Sequence, residues 1–340
     1  MKQSVITIKD VARLAGVGIG TASYALNGTK TNKVSDATRQ RVLDVAEKLH
    51  YKTNTFGRVL KMRNSRLIGV MLPTMVHEVL PVFIQGIQDE LAKNNYSMLF
   101  HTYSDRHDLE NKCQTFLNWR VEGIIFNPQS VKDQPWFYEY FQKLAANIPI
   151  VAGGGVSQDF FPHVLVDGEA IGRMGTEYLI SKGHRRIALI NDLDNWRTKG
   201  YLLTLKKANI TPNYDYIYND YEAMYDERKG FFHWLEHFPP KKRPTAVFCL
   251  SETMAAKLIA QAQDRNYVLP KTLSVLGTDN SELSNFLRPR LTTIFQSHYL
   301  QGVESVRLLL RILAKQDKSN VLLQPELIER DSVFDFTVQA

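Results

Sequence analysis

Thr7-Ile8-Lys9-Asp10-Val11-Ala12-Arg13-Leu14-Ala15-Gly16-Val17 reads as one short helix ending in a tight turn. Thr7 and Asp10 have the S/T-x-x-D/E spacing of a capping box, in which each end of the first turn serves the other. Val11, Leu14 and Ala15 recur at helical spacing and are expected to face a small core. Gly16 suits the left-handed conformation that closes a helix. A second short helix is expected from about Ile19 to Leu26, with Asn27-Gly28 as its stop signal. A third starts at Ser35, a good N-cap, with Asp36 in the first turn, where the helix dipole favours an acid. It carries Val42, Val45, Ala46 and Leu49 on one face. Two short helices across a tight turn, closed by a third, form a helix-turn-helix, whose second helix characteristically enters the DNA major groove. A three-helix protein-binding module shares most of these cues, so charge has to separate the two.

Residues 1–65 hold twelve Lys or Arg and four Asp or Glu, a net of +8, whereas the whole 340-residue chain is +7. The remaining 275 residues therefore sum to −1. A neutral body with a cationic head is the electrostatic footprint of phosphate contacts, and it coincides with the helix-turn-helix.

The same residues resemble the LacI/GalR family of bacterial transcription regulators. The matching run includes Thr7-Ile8-Lys9-Asp10-Val11-Ala12, Ala15-Gly16-Val17, Thr21-Ala22-Ser23, Leu26-Asn27, Val34-Ser35 and Leu49-His50-Tyr51. It continues in the body through Ile68-Gly69-Val70, Gly183-His184-Arg185-Arg186-Ile187-Ala188, Arg197…Gly200-Tyr201, Leu273-Ser274-Val275…Gly277…Asp279-Asn280 and Leu291-Thr292-Thr293-Ile294. The resemblance covers nearly the whole chain in order.

The body alternates strand-like and helix-like segments. Strands are expected at 67–72, 97–100, 123–126, 148–151, 187–190, 246–250 and 273–276, with helices at 82–93, 109–120, 171–182, after Arg197 and at 252–266. Such alternation implies parallel sheets covered by helices on both faces. The resemblance adds a periplasmic-binding-protein-like effector domain of two parallel-sheet subdomains, crossed by the chain three times, near Leu165, Thr293 and Leu323. The expected division is a headpiece at 1–53, a hinge helix or linker at 54–65, an N-terminal subdomain of 66–165 and 296–323, and a C-terminal subdomain of 166–295 and 324–340.

Ligands in open α/β sheets sit off the carboxyl ends of the strands. Asp167, the segment Asn191 to Arg197, Ser251 and Asp279 each follow such a strand. Carboxylates accept from sugar hydroxyls and Arg donates in a planar fork, so this set suits a hydroxyl-rich or charged small molecule. By resemblance, Arg197 and Asp279 match the family's effector-contacting Arg and Asp, and Tyr221 matches an aromatic that packs on the effector. Asp167 and Ser251 complete the expected effector set; each is also well placed as an ordinary helix cap. Val79 and Leu80 stand where many relatives carry aromatic or polar contacts.

The expected DNA contacts are Thr7, Ile19, Gly20, Thr21, Ser23, Tyr24 and Asn27 of the headpiece and Arg58 and Leu60 of the hinge. Gly18, Ile19, Gly20 and Tyr24 depart from the polar residues relatives carry there. Ile19 is expected to touch a thymine methyl and Tyr24 a base edge or phosphate; the competing reading puts Ile19 in the small core. The resemblance implies paired hinge helices in the minor groove, with Leu60 as the wedge and Arg58 at the backbone. Gly57 and Thr53 weaken that segment, so it is expected to fold only on DNA.

Other features carry less. Cys113 and Cys249 have no disulfide or metal-ligand spacing and read as buried thiols. Gly153-Gly154-Gly155 lacks the surroundings of a phosphate loop. No catalytic motif, cofactor motif or metal motif is found, so no enzyme and no cofactor are expected. Met1 to Ile6 lacks the apolar core of a secretion signal and no run approaches a membrane span, which points to a cytoplasmic protein. The combined expectation is a dimeric repressor, with a tetramer also open, of a carbohydrate-utilisation operon. Its partners are operator DNA and a sugar or sugar phosphate. The alternatives are the same regulator answering to a protein partner, or a cytosolic solute-binding protein.

Overall fold

The computed structural model describes residues 6–27, 34–51, 65–74, 79–128, 134–153, 160–191, 195–220, 226, 230–249 and 251–339. The chain divides into two compact units, 1–65 and 66–340.

The first unit holds α1 (Ile8–Leu14), α2 (Ile19–Asn27) and α3 (Asp36–Lys48). Val11, Ala12, Ala15, Ala22, Ala25, Val42 and Ala46 form its core, and Val45 and Leu49 pack against it. Gly16 takes φ +64° between α1 and α2, as a tight turn demands. The Ser35 side chain accepts from Thr38 N–H and starts α3. One expectation fails: Leu14 is 58% exposed. Val11 and Ala15, four residues apart, with Ala12 between them, already fill the space above α2 and α3, and Leu14 falls on the outer side.

The second unit contains two six-stranded sheets. The first, ordered β11-β5-β4-β3-β1-β2, is built from β1 (Leu67–Pro73), β2 (Ser97–Tyr103), β3 (Gly123–Phe126), β4 (Ile150–Gly153), β5 (His163–Val166) and β11 (Val321–Leu323). The second, ordered β12-β10-β9-β8-β6-β7, is built from β6 (Ile187–Ile190), β7 (Ile217–Tyr218), β8 (Ala246–Phe248), β9 (Ser274–Asp279), β10 (Thr292–Phe295) and β12 (Glu326–Ile328). All pairs are parallel except β10 with β12, so the expectation of purely parallel sheets is corrected at one edge. Short apolar strands such as Ile187-Ala188-Leu189-Ile190 are buried throughout, which fits sheets covered on both faces.

The helices between them are α4 (Leu80–Lys93), α5 (Arg106–Asn118), α6 (Pro135–Ala145), α7 (Gly168–Ser181), α8 (Trp196–Lys207), α9 (Phe231–His237), α10 (Glu252–Asp264), α11 (Leu283–Phe286) and α12 (His298–Leu313). Of these, α6, α9, α11 and α12 were not read from the sequence. The chain leaves the first sheet after Val166, returns after Phe295 into α12, and leaves again between Leu323 and Glu326. Each sheet has an apolar layer on either side: α7 and α8 cover one face of the second, α9 and α10 the other. Among the described residues no helix is long and apolar enough to cross a membrane.

Candidate DNA-binding and effector sites

In the headpiece, Thr7 N–H and Oγ1–H both donate to Asp10 Oδ2, at 2.9 and 2.7 Å. The Thr7 hydroxyl beside Asp10 holds its carboxyl below the usual range. Thr7 thus does capping work as well as standing at the surface. Along α2, Ala22 and Ala25 turn inward, while Ile19 (45% exposed), Gly20 and Tyr24 face outward and Thr21 and Ser23 are half-buried. This excludes the reading of Ile19 as a core residue. Gly20 and Tyr24 are four residues apart on one helix face, with Ile19 beside Gly20 in the first turn. Asn27 closes α2. Arg58 and Leu60 lie outside the described residues.

At the carboxyl ends of the second sheet a chain of polar groups runs across the strand tips. Arg197, in the first turn of α8, donates from Nη2 to Gln296 Oε1 at 3.3 Å. Gln296 Nε2 donates to Asp279 Oδ1 at 2.6 Å. His298 Nε2 lies 3.1 Å from the same oxygen and donates whenever that nitrogen carries its proton. Asp279 and Gln296 are buried. Asp279 takes φ 111° and Asn280 φ 57°, a turn that ordinary side chains rarely adopt and that neighbouring contacts must hold. Glu252, fully buried, does so by accepting from Ser281 N–H at 2.7 Å and from the Ser281 hydroxyl. Burial pushes the Glu252 carboxyl upward. Arg330 fixes the other side, donating to Asn280 Oδ1 at 2.7 Å and to Leu291 O at 2.8 Å.

The residues expected at an effector site fall into three groups. Arg197 and Asp279 are joined through Gln296. Asp167 and Ser251 act as helix N-caps: Asp167 Oδ1 accepts from Ala170 N–H at 2.9 Å, and Ser251 Oγ from Met254 N–H at 3.3 Å. Asp167 directly precedes Gly168, on which a Cβ would sit 3.8 Å from Arg197 Cγ, and Ser251 directly precedes Glu252. Tyr221 lies outside the described residues. Gln296 and His298 were missed. They stand at the passage from β10 to α12, where the sequence reading had no helix to anchor them.

The comparisons with known proteins agree over nearly the whole length. The model for bacterial regulatory proteins of the lacI family matches residues 7–54, and the one for a periplasmic binding protein-like domain matches 176–333. The HTH-type transcriptional repressor PurR of Mannheimia succiniciproducens is 30% identical over 337 residues, covering 96% of this chain and 98% of that protein. The chain belongs to the lacI family. A lac repressor dimer bound to operator and the anti-inducer ONPF is similar in structure, at TM-score 0.83 and 26% identity, covering 97% of this chain and 99% of that one. A complex of the transcriptional regulator CelR with cellobiose matches at TM-score 0.68 and 25% identity, covering 96% and 99%.

This lacI-family chain is therefore a DNA-binding transcriptional repressor and not an enzyme. Cys113 and Cys249 are both buried and free, and burial pushes the Cys113 thiol up to about 12, so neither is a reactive thiolate at neutral pH. Gly153 ends β4 against Phe83, where a Cβ would come within 2.6 Å of the ring, so close packing accounts for that glycine.

Proposed function

We propose that this repressor acts as a homodimer in the cytoplasm, governs a carbohydrate-utilisation operon, and reads a sugar or sugar phosphate bound between its two sheets. The observation that carries the reading is the Arg197–Gln296–Asp279–His298 chain, which offers donors and acceptors side by side at the strand tips. Hydroxyls both donate and accept, so a polyol can exchange into such a chain without leaving a group unpaired. The solved relative holding cellobiose supports the same ligand class.

In this reading Arg197 and Asp279 grip the effector, Gln296 and His298 orient Asp279, and Asp167, Ser251 and Tyr221 border the pocket. The subdomains are those delimited at 66–165 with 296–323 and 166–295 with 324–340. Thr7, Ile19, Gly20, Thr21, Ser23, Tyr24 and Asn27 contact each half-site, and Arg58 and Leu60 serve the minor groove between them. Two headpieces are needed because one short helix reads too few bases. The effector changes operator affinity only through its different affinity for the two arrangements of the subdomains. Control by a protein partner is the second reading; a small-molecule site with Arg197 and Asp279 in place favours a metabolite.

Selection from random duplexes tests the first half: a near-palindromic site should be enriched, and enrichment of a sequence without two-fold symmetry rules out paired reading heads. Titrating the selected site with sugars and sugar phosphates tests the second. Operator affinity should move at least tenfold with one of them, and in Asp279→Asn that response should disappear while affinity without effector stays within about threefold. Indifference to every compound would transfer control to a protein partner.

A further inference from the structure

Asn191 directly follows β6 and is 1% exposed. Its backbone N–H donates to Tyr218 O at 3.1 Å, so the sheet ladder still holds it. Its side chain is different: among the described residues neither Oδ1 nor Nδ2 has a partner, and both atoms are sealed from solvent. Folded proteins pair nearly all such groups, and an amide orphaned at both ends is a standing cost that a bound molecule would remove.

Strand alternation says which way it faces. Ala188 and Ile190 belong to the layer under α9 and α10, whereas Ile187 and Leu189 belong to the layer under α7 and α8. Asn191 continues the second set. There α8 lies over it. Tyr201 of α8 donates its hydroxyl to Ile187 O at 2.8 Å, and Arg197 stands one helical turn earlier on the same helix face. A helix that follows a parallel strand runs back along it, so the turn carrying Arg197 is level with the carboxyl end of β6, where Asn191 sits. Gln296, bonded to Arg197, is at the matching end of β10.

From this placement we infer that Asn191 is an effector-reading residue, and that it selects adjacent neutral hydroxyls of a sugar in preference to a phosphate group. The inference rests on the proposed sugar-class effector. An amide presents one acceptor and two donors on a rigid plane. A vicinal diol answers both ends at once, since each hydroxyl donates and accepts. A phosphate would meet the Nδ2 donors but leave Oδ1 against like charge.

The experiment uses the full chain and its selected operator, with Asn191→Leu, which keeps the branching at Cγ and removes the polar ends, and Asn191→Ala as a second variant. The probes are D-ribose, D-glucose, cellobiose, glucose 6-phosphate and adenine. One of the neutral sugars should alter operator affinity and melting temperature of the wild type, and both responses should fall at least tenfold in the two variants. A sugar response of wild-type size in either variant overturns the inference while leaving the sugar reading intact. A response to glucose 6-phosphate alone, or to adenine alone, overturns the neutral-diol assignment. No response to any probe in the wild type removes the sugar reading itself, and this inference with it.

Discussion

His184 shows what a single buried group contributes in this fold. Its Nδ1 lies 2.8 Å from Thr245 Oγ1 and its Nε2 3.2 Å from Phe334 O, so it ties β6 to the C-terminal segment. Burial lowers its pKa from 6.5 to about 4. The folded chain prefers the neutral ring, and the unfolded chain takes up a proton first. That stabilisation is complete above pH 6.5 and is lost as pH falls toward 4, to the extent of roughly 3 kcal/mol. Urea midpoints measured from pH 7 to 4 should fall more steeply for the wild type than for His184→Gln; parallel slopes would mean that folding leaves the pKa of the ring unchanged. Ile19 makes the matching case on the surface. Its exposure removes a packing role, so Ile19→Ala should leave the melting temperature within about 2 °C and weaken binding by about 1 kcal/mol at sites with thymine opposite it. Equal weakening on all sequences would remove base reading from Ile19. These residues also mark what a sequence shows. Arg197 and Asp279 were singled out by resemblance, and the structure joins them through Gln296. Asp167 and Ser251 were ambiguous because an oxygen after a strand suits a ligand and a helix N-cap equally, and here the cap is the bond that forms.

Among elements, two helix pairs decide how the strand tips are presented. Helices α7 and α8 cross so closely that a Cβ on Gly172 would lie 1.9 Å from Arg197 O, and one on Gly200 would lie 2.1 Å from Glu169 O. Helices α4 and α12 repeat the arrangement in the other half, with Gly86 against Tyr299 O at 2.1 Å and Gly302 against Phe83 O at 2.2 Å. The backbone that blocks Gly172 is that of Arg197 itself. Gly172→Ala must push α8 away and should cost about 1–3 kcal/mol in denaturant unfolding. It should also weaken the effector response more than operator binding, because it moves Arg197 and not the headpiece. A loss of stability with an unaltered effector response would detach Arg197 from the pocket. The strand-helix rhythm was legible from runs such as Ile68-Gly69-Val70 and Ile187-Ala188-Leu189-Ile190, since strands buried on both faces are apolar without interruption. The helix α12 was not read. Its apolar residues crowd together at Val303, Val306, Leu308 and Leu309, and Gly302 within it looks like a breaker until α4 is seen to need that space.

For the whole molecule, charge is divided in a way that separates the two binding events. The head carries +8 and the remaining 275 residues −1, so DNA binding draws on counterion release while the body has no net field to attract an anion. If about six phosphates are neutralised, doubling the salt should weaken operator binding roughly 40-fold. The same change should leave the binding of a neutral sugar untouched, because no ions are released when a hydroxyl replaces water beside Asp279. A sugar phosphate would instead lose affinity with salt, since its attraction to Arg197 is screened. Isothermal titration of the effector at 0.1 and 0.4 M salt, beside operator titrations over the same range, therefore discriminates the two ligand classes. A salt-independent effector with a steeply salt-dependent operator fits a polyol received by paired donors and acceptors. A salt slope shared by both titrations would place a phosphate on Arg197 and remove Asn191 from the recognition.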